Sequence, residues 1–123
     1  MIPQDLLAFR LALSKLETLE PASERRHHTR YVPSGPLAKA KVQLPMEAAV
    51  HDADVVDLSP SGVRLAILPG IPCQEGERCQ IHVTPNPTTT WTLEGEIRWV
   101  THHPYVTVFG VLFDPEHAAI SPV

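Results

Sequence analysis

Six strand-like segments follow one another between residues 38 and 113, and no helical pattern separates them. Turn signals rich in proline, glycine and serine lie between these segments, which read AKAKVQL, AAVHDADVVDL, GVRLAIL, RCQIHVT, TWTLEGEIRWV and YVTVFGVLF. Six short antiparallel strands in one small domain must hide their edges, and closure into a barrel does so most economically. The sequence therefore predicts an all-β fold, a six-stranded antiparallel β-barrel.

An amphipathic helix is predicted ahead of the barrel, over residues 3 to 19. Pro3 suits the first turn of a helix, and Glu20-Pro21 is a stop signal. Apolar residues at spacings of four and three form one seam, made of Ile2, Leu6, Phe9, Leu13 and Leu16. Such a seam can pack against the chain's own barrel or against a second copy, which would give a homodimer.

Residues 20 to 37 hold proline, serine, glycine and charge without apolar periodicity, which predicts a loop. The predicted division of the chain has four parts: an N-terminal amphipathic helix (1–20), an arginine-rich loop (21–37), the barrel (38–113) and a short C-terminal tail (114–123).

Composition narrows the class of protein. A chain of 123 residues with a formal charge of −4 makes one ordinary domain and argues against a protein that coats DNA or RNA. No apolar run is long enough to span a bilayer, and the N-terminus lacks the basic region of a secretory signal. Cys73 and Cys79 are too few for a disulfide framework, and their spacing fits no standard zinc site. We expect a cytoplasmic protein with reduced thiols and no bound metal.

The segment ERRHHTRY, residues 24 to 31, gathers Arg25, Arg26 and Arg30 in this acidic chain. It is either a solvated linker or a loop that closes on an anion. His27 and His28 are either exposed loop residues or groups that become protonated beside phosphate and tighten binding below neutral pH.

A second polar motif, DLSPSG, occupies residues 57 to 62 where one predicted strand ends and the next begins. Alternation puts Asp57 and Ser59 on the same side of the strand, and Gly62 permits a close approach to the backbone. Taken alone, the motif is ordinary turn chemistry. The motif supplies a carboxylate, a hydroxyl and a bare glycine, and the other segment supplies several arginines. Together these groups suit a guanine nucleotide, whose edges present both donors and acceptors.

The two motifs resemble those of the PilZ domain family. Residues 26 to 30 match its RxxxR motif, and residues 57 to 62 match its D/N-x-S-x-x-G motif in the correct order. The later segments GVRL, GEIRWV and FGVLF are similar to the family as well. The resemblance implies a PilZ-type six-stranded antiparallel β-barrel, here with an added N-terminal helix, which binds the bacterial second messenger cyclic di-GMP on its outer surface.

The resemblance also implies the ligand-binding residues, which are Arg25, Arg26, Arg30, Asp57, Ser59 and Gly62. The two arginines of RxxxR would contact phosphates and stack on guanine. The aspartate would accept from a guanine edge with support from the serine, and the glycine would admit the ligand to the backbone. The arginine preceding the motif is associated in the family with binding a stacked pair of nucleotides.

No nucleophile-and-base pattern or glycine-rich phosphate loop appears, so we expect a binding protein rather than an enzyme. The first hypothesis is a cyclic di-GMP receptor that relays the signal by conformational change to an unidentified downstream protein. The alternative is a PilZ-like protein–protein interaction module that binds no nucleotide. A barrel for single-stranded nucleic acid is disfavoured by the acidic charge and scarce aromatics. Trp99, with apolar neighbours, is predicted in the core or at the barrel rim.

Overall fold

The computed structural model describes residues 4–20, 29–45 and 49–114. The helices are α1 (Gln4–Leu13) and a short 3₁₀ helix (Gly35–Ala38). The strands are β1 (Thr18–Glu20), β2 (Arg30–Tyr31), β3 (Lys39–Gln43), β4 (Val50–Ser59), β5 (Gly62–Ile67), β6 (Arg78–Asn86), β7 (Thr89–His102) and β8 (Thr107–Phe113).

Six of these strands close into the predicted barrel. Antiparallel pairing runs from β4 through β3, β6, β7 and β8 to β5, and β5 pairs back with β4 to complete the ring. A closed ring leaves no barrel strand with an unpaired edge, which would otherwise invite pairing with another chain. The predicted all-β barrel with an N-terminal helix is therefore confirmed.

The barrel interior is filled by the inward-facing residues of the alternating strands. Those with at most 2% of their surface exposed include Val42, Leu65, Ile81, Ile97 and Phe109, one from each of five strands. Aliphatic and aromatic side chains on one face of a closed sheet bury apolar area without leaving polar groups unsatisfied.

The N-terminal helix is shorter than predicted, because α1 ends at Leu13 and residues 18–20 form β1. Backbone bonds from Lys15 to Ala12 and from Leu16 to Leu13 tighten the last turn. The chain then runs antiparallel to β2, with Thr18 opposite Tyr31. Strand pairing thus takes up the backbone groups that an extended helix would have used. The predicted loop 21–37 contains β2 and the first three residues of the 3₁₀ helix.

Helix α1 packs on the barrel of its own chain. Leu6, Phe9 and Leu13 of the predicted seam are at most 2% exposed. The Phe9 ring meets Phe113 edge-on at a centroid distance of 5.4 Å and Trp91 at 6.4 Å. Asp5 Oδ2 accepts a hydrogen bond from the Thr92 backbone N–H at 2.9 Å. The seam therefore faces inward, which leaves the predicted homodimer without support from this structure.

Cys73 and Cys79 are free and buried. Burial in apolar surroundings raises the pKa of the Cys73 thiol to about 11 and that of Cys79 to about 12. Both therefore stay protonated near neutral pH. No helix in the described ranges has the length and apolar character needed to cross a membrane.

Replacing Phe9 with alanine should lower the free energy of unfolding by about 3–5 kcal/mol, because the ring leaves a cavity between α1 and the barrel. Denaturant unfolding followed by circular dichroism measures this. Leu11→Ala is the matched control on the same helix: Leu11 is 73% exposed, so the change should stay within about 0.5 kcal/mol. Equal losses in the two variants would contradict the packing of α1 on the barrel.

The two thiols should resist alkylation in the folded protein, since the thiolate is the reactive form and both pKa values are raised. Iodoacetamide at pH 8, followed by mass spectrometry, should label the native protein slowly and the urea-unfolded protein rapidly. Rapid labelling of the native state would show that these side chains are accessible and ionised.

Candidate nucleotide-binding site

The two sequence motifs meet at Asp57. Arg30, the last residue of RxxxR, donates a hydrogen bond from Nη1 to Asp57 Oδ1 at 2.6 Å. On the other side, Arg64 Nη2 lies 2.7 Å from Asp57 Oδ2. Only 2% of the Asp57 side chain is exposed, whereas about a third of each arginine remains open to solvent. One buried carboxylate thus holds two guanidinium groups that still face outward.

A β-bulge turns Asp57 to the outer face of the barrel. Val55 lies opposite Leu65 and Asp57 lies opposite Arg64, so Val56 is the extra residue in β4. Before the bulge Ala53 and Val55 are buried in the core, and simple alternation would also have sent Asp57 inward. The inserted residue reverses that parity. Leu58 therefore enters the core and the carboxylate faces Arg64 outside.

A second bulge does the same for Trp99 in β7. Ile97 lies opposite Val111 and Trp99 lies opposite Gly110, which makes Arg98 the extra residue. The Trp99 ring covers Gly110, where an added Cβ would come within 2.2 Å of the indole Nε1. Of the two places predicted for Trp99, the core is therefore not the one it occupies, because the bulge reverses the alternation that would have turned it inward. The indole lies half-buried against the outer surface.

Ser59 closes the turn between β4 and β5. Its hydroxyl accepts a hydrogen bond from the Gly62 N–H at 3.1 Å and lies 3.2 Å from the Gly62 carbonyl oxygen, to which it can donate. A side chain at Gly62 would place a Cβ 2.2 Å from the Val111 carbonyl oxygen. The turn chemistry considered from the sequence is therefore present, and it fixes the backbone beside the arginine pair.

Helix α1 also contacts this turn. Arg10 Nε donates a hydrogen bond to the Pro60 carbonyl oxygen at 2.8 Å. Strand β1, which follows α1, pairs with β2, which carries Arg30. The helix is thus connected directly to the DLSPSG turn, and through β1 to the strand that carries Arg30.

A surface depression of about 160 Å³ lies over this region, and its lining includes Arg30, Gly62, Arg64, Arg98, Trp99 and Gly110. A larger depression, of about 750 Å³, lies between residues 69–74 and the turn at residues 102–104, but its described lining holds no lysine or arginine. Of these two depressions, the smaller one therefore matches an anionic ligand better, because Arg30 and Arg64 face solvent there beside a single carboxylate. Arg98 on its rim is paired with Glu96 at 3.1 Å.

Four of the six predicted ligand-binding residues fall in the described part of the chain, and the structure brings all four together: Arg30, Asp57, Ser59 and Gly62. Arg25, Arg26 and the neighbouring His27 and His28 lie outside the described residues. No group of three His, Cys, Asp or Glu side chains within residues 4–20, 29–45 and 49–114 is placed to hold a metal ion.

Sequence reasoning missed Arg64, although a signal for it was present. Ser59 pairs with Gly62 across a two-residue turn. Following both strands away from this turn gives the pairs Leu58–Val63 and then Asp57–Arg64. The outward position of Trp99 could not be found in this way, because nothing in the local sequence marks Arg98 as a bulge residue.

Gly62→Ala should destabilise the protein by about 1–3 kcal/mol, because the new methyl group would collide with the backbone of β8 and force the strands apart. Thermal unfolding measures this loss. Ser61→Ala, in the same turn, is the matched control and should change stability by no more than about 0.5 kcal/mol. A Gly62→Ala variant as stable as the control would show that β5 and β8 are not packed as closely as described.

Comparisons with known proteins agree with this architecture. The PilZ domain of YcgR from Escherichia coli, solved with c-di-GMP, superposes with a TM-score of 0.62 at 16% identity, over 80% of this chain and 82% of that one. The inhibitor of motility MotI/DgrA from Bacillus subtilis superposes with a TM-score of 0.51 at 19% identity, over 74% of this chain and 43% of that one. No curated protein matches in sequence. The PilZ domain family model matches residues 24–119, and the chain therefore belongs to the PilZ domain family.

Proposed function

We propose that this protein is a bacterial cyclic di-GMP receptor of the cytoplasm that passes the signal to a downstream protein. The observation that carries the proposal is the contact between Arg30 and Asp57, which lie 27 residues apart and join the RxxxR and DxSxxG motifs on the outer face of a PilZ barrel. The structure of the YcgR PilZ domain with c-di-GMP supports the choice of ligand.

Charge and donor geometry support an anionic ligand at this site. Arg30 and Arg64 set two positive charges against the single negative charge of Asp57. Each guanidinium carries five N–H donors in a planar fork, so donors remain for phosphate or base oxygens. Arg26 would add a further cation and stacking surface, and Arg25 would support a second, stacked nucleotide. The binding affinity should fall as salt concentration rises, because charge-assisted contacts are screened.

The proposed role of Asp57 in accepting from a guanine edge needs a rearrangement. Both of its oxygens are already in contact with arginines, and its side chain is 2% exposed. A guanine could bond to Asp57 only if one arginine moved aside or if an oxygen accepted a second donor. In the arrangement seen here, Asp57 orients the two arginines. Ser59 supports the site by fixing the turn, and Gly62 supports it by adding no side chain there.

A route for the relay follows from the contacts of α1. Nucleotide binding would reposition Arg30 and the turn at residues 57–62, and both are joined to the helix through β1 and the Arg10–Pro60 hydrogen bond. A change in the docking of α1 would then expose a different surface to the downstream protein. Leu7 and Leu11 already lie on the exposed side of this helix.

One observation favours the alternative of a protein–protein interaction module that binds no nucleotide. Asp57 is buried and paired within its own chain, so the motif residues satisfy one another without a ligand. The absence of cyclic di-GMP binding in the titration below would leave this as the better function.

Calorimetric titration with cyclic di-GMP, GTP and a short oligonucleotide should give binding of the cyclic dinucleotide only. Arg26→Ala and Arg30→Ala should each weaken binding at least about tenfold, since a hydrogen bond to a charged group contributes roughly 1.5–3 kcal/mol. Arg78→Ala is the control: Arg78 lies on β6 and pairs with Asp114, and its loss changes the net charge equally. Unchanged affinity in both site variants would refute the site.

The stoichiometry of the same titration tests Arg25. Two nucleotides per chain are expected in the parent protein and one in Arg25→Ala, because the stacked pair needs the additional cation. A ratio of one in the parent protein would remove the stacked-pair role.

A further inference from the structure

Four residues form a continuous row across the outer face of the barrel. Asp57 of β4 lies opposite Arg64 of β5, Arg64 lies opposite Gly110 of β8, and Gly110 lies opposite Trp99 of β7. The row therefore runs from a carboxylate through a guanidinium and a glycine to a tryptophan, whose indole covers that glycine. Because Gly110 lies between Arg64 and Trp99, the indole that covers it lies on the side of Trp99 toward Arg64.

The two β-bulges place the ends of this row. Val56 and Arg98 are the extra residues, and each immediately precedes the residue that is turned outward. Without them, Asp57 and Trp99 would face the core by alternation. Bulges re-aim side chains at the cost of one unpaired position in the ladder, and they are over-represented at barrel rims and next to active sites. Here two bulges turn two side chains of one row toward solvent, where a ligand can reach them.

Arg64 belongs to neither sequence motif, yet its guanidinium has the donors needed to recognise guanine. Asp57 holds Nη2 at 2.7 Å, which fixes the plane of the fork while leaving its other donors available. A third of the side chain is exposed, and it lines the same depression as Trp99 and Gly110. The O6 and N7 atoms of guanine are two acceptors on one edge, and they match two donors of a guanidinium.

We propose that Arg64 is a further nucleotide-binding and specificity-determining residue, which donates to the O6/N7 edge of a guanine lying against Trp99. The inference rests on the proposed function, since it assigns one base contact within that same site. Asp57 is then a positioning residue for Arg64 as well as for Arg30. Adenine carries an amino donor where guanine has O6, so this contact selects guanine.

The test compares Arg64→Gln, Arg64→Lys and the control Arg78→Gln by calorimetric titration with cyclic di-GMP. The glutamine variant should bind at least about tenfold more weakly than the parent protein, as the loss of a bidentate base contact predicts. The lysine variant should be weakened nearly as much, because an ammonium group keeps the charge but lacks the planar fork. The control, which removes a surface charge outside the depression, should bind as the parent does.

Trp99 supplies an independent readout of where the base lies. The sequence has two tryptophans, so Trp91→Phe leaves Trp99 as the single indole. Its fluorescence should change when cyclic di-GMP is added, and the change should be reduced in the Trp91→Phe, Arg64→Gln double variant. Thermal unfolding of each variant checks the fold, and if the glutamine variant does not fold, the lysine variant provides the test because it keeps the charge beside Asp57.

Several outcomes would overturn the inference while leaving the receptor function intact. They are an Arg64→Gln affinity within about twofold of the parent, tighter binding when Arg64 is removed, full rescue by lysine, and a Trp99 signal that ignores the ligand. Failure of the parent protein to bind cyclic di-GMP would instead refute the receptor function and this inference with it.

Discussion

The candidate site depends on one buried carboxylate shared between two arginines. Asp57 fixes Arg30 from β2 and Arg64 from β5, so it ties the segment that carries RxxxR to the barrel wall. Removing one partner of a buried ion pair typically costs several kcal/mol, because the remaining charge is left uncompensated. The pair therefore explains both the geometry of the site and why its parts stay together in a protein whose overall charge is negative.

Barrel closure supplies the rigid surface on which this interaction stands. The core residues of β4, β5, β7 and β8 hold the strands in register, and the two bulges then turn selected side chains outward without opening the ring. The helix α1 covers another part of the barrel through Phe9 and reaches the DLSPSG turn through Arg10. A binding surface and a contact with the N-terminal segment thus come from the same few strands.

Much of this arrangement could be predicted from sequence patterns that reflect local physics. Alternating apolar residues and turn signals predicted the six barrel strands, and the two motifs predicted a shared site. The end of α1 was missed because Thr18 pairs with Tyr31, a long-range contact that overrides the local helical pattern. The buried Asp57 was predicted as a reader of guanine, while in the structure both its oxygens contact arginines.

The sequence by itself determined the fold class, the family resemblance and the polar residue types of the site, because periodicity and motif spacing are local properties. It also contained the Asp57–Arg64 pair, which follows from counting back from a two-residue turn. Only the tertiary structure decided that Val56 and Arg98 are extra residues and that Trp99 faces outward, because a single extra residue in a strand reverses every side chain beyond it. That reversal depends on how β4 and β7 pair with their neighbours, and the local sequence at the bulges does not reveal it.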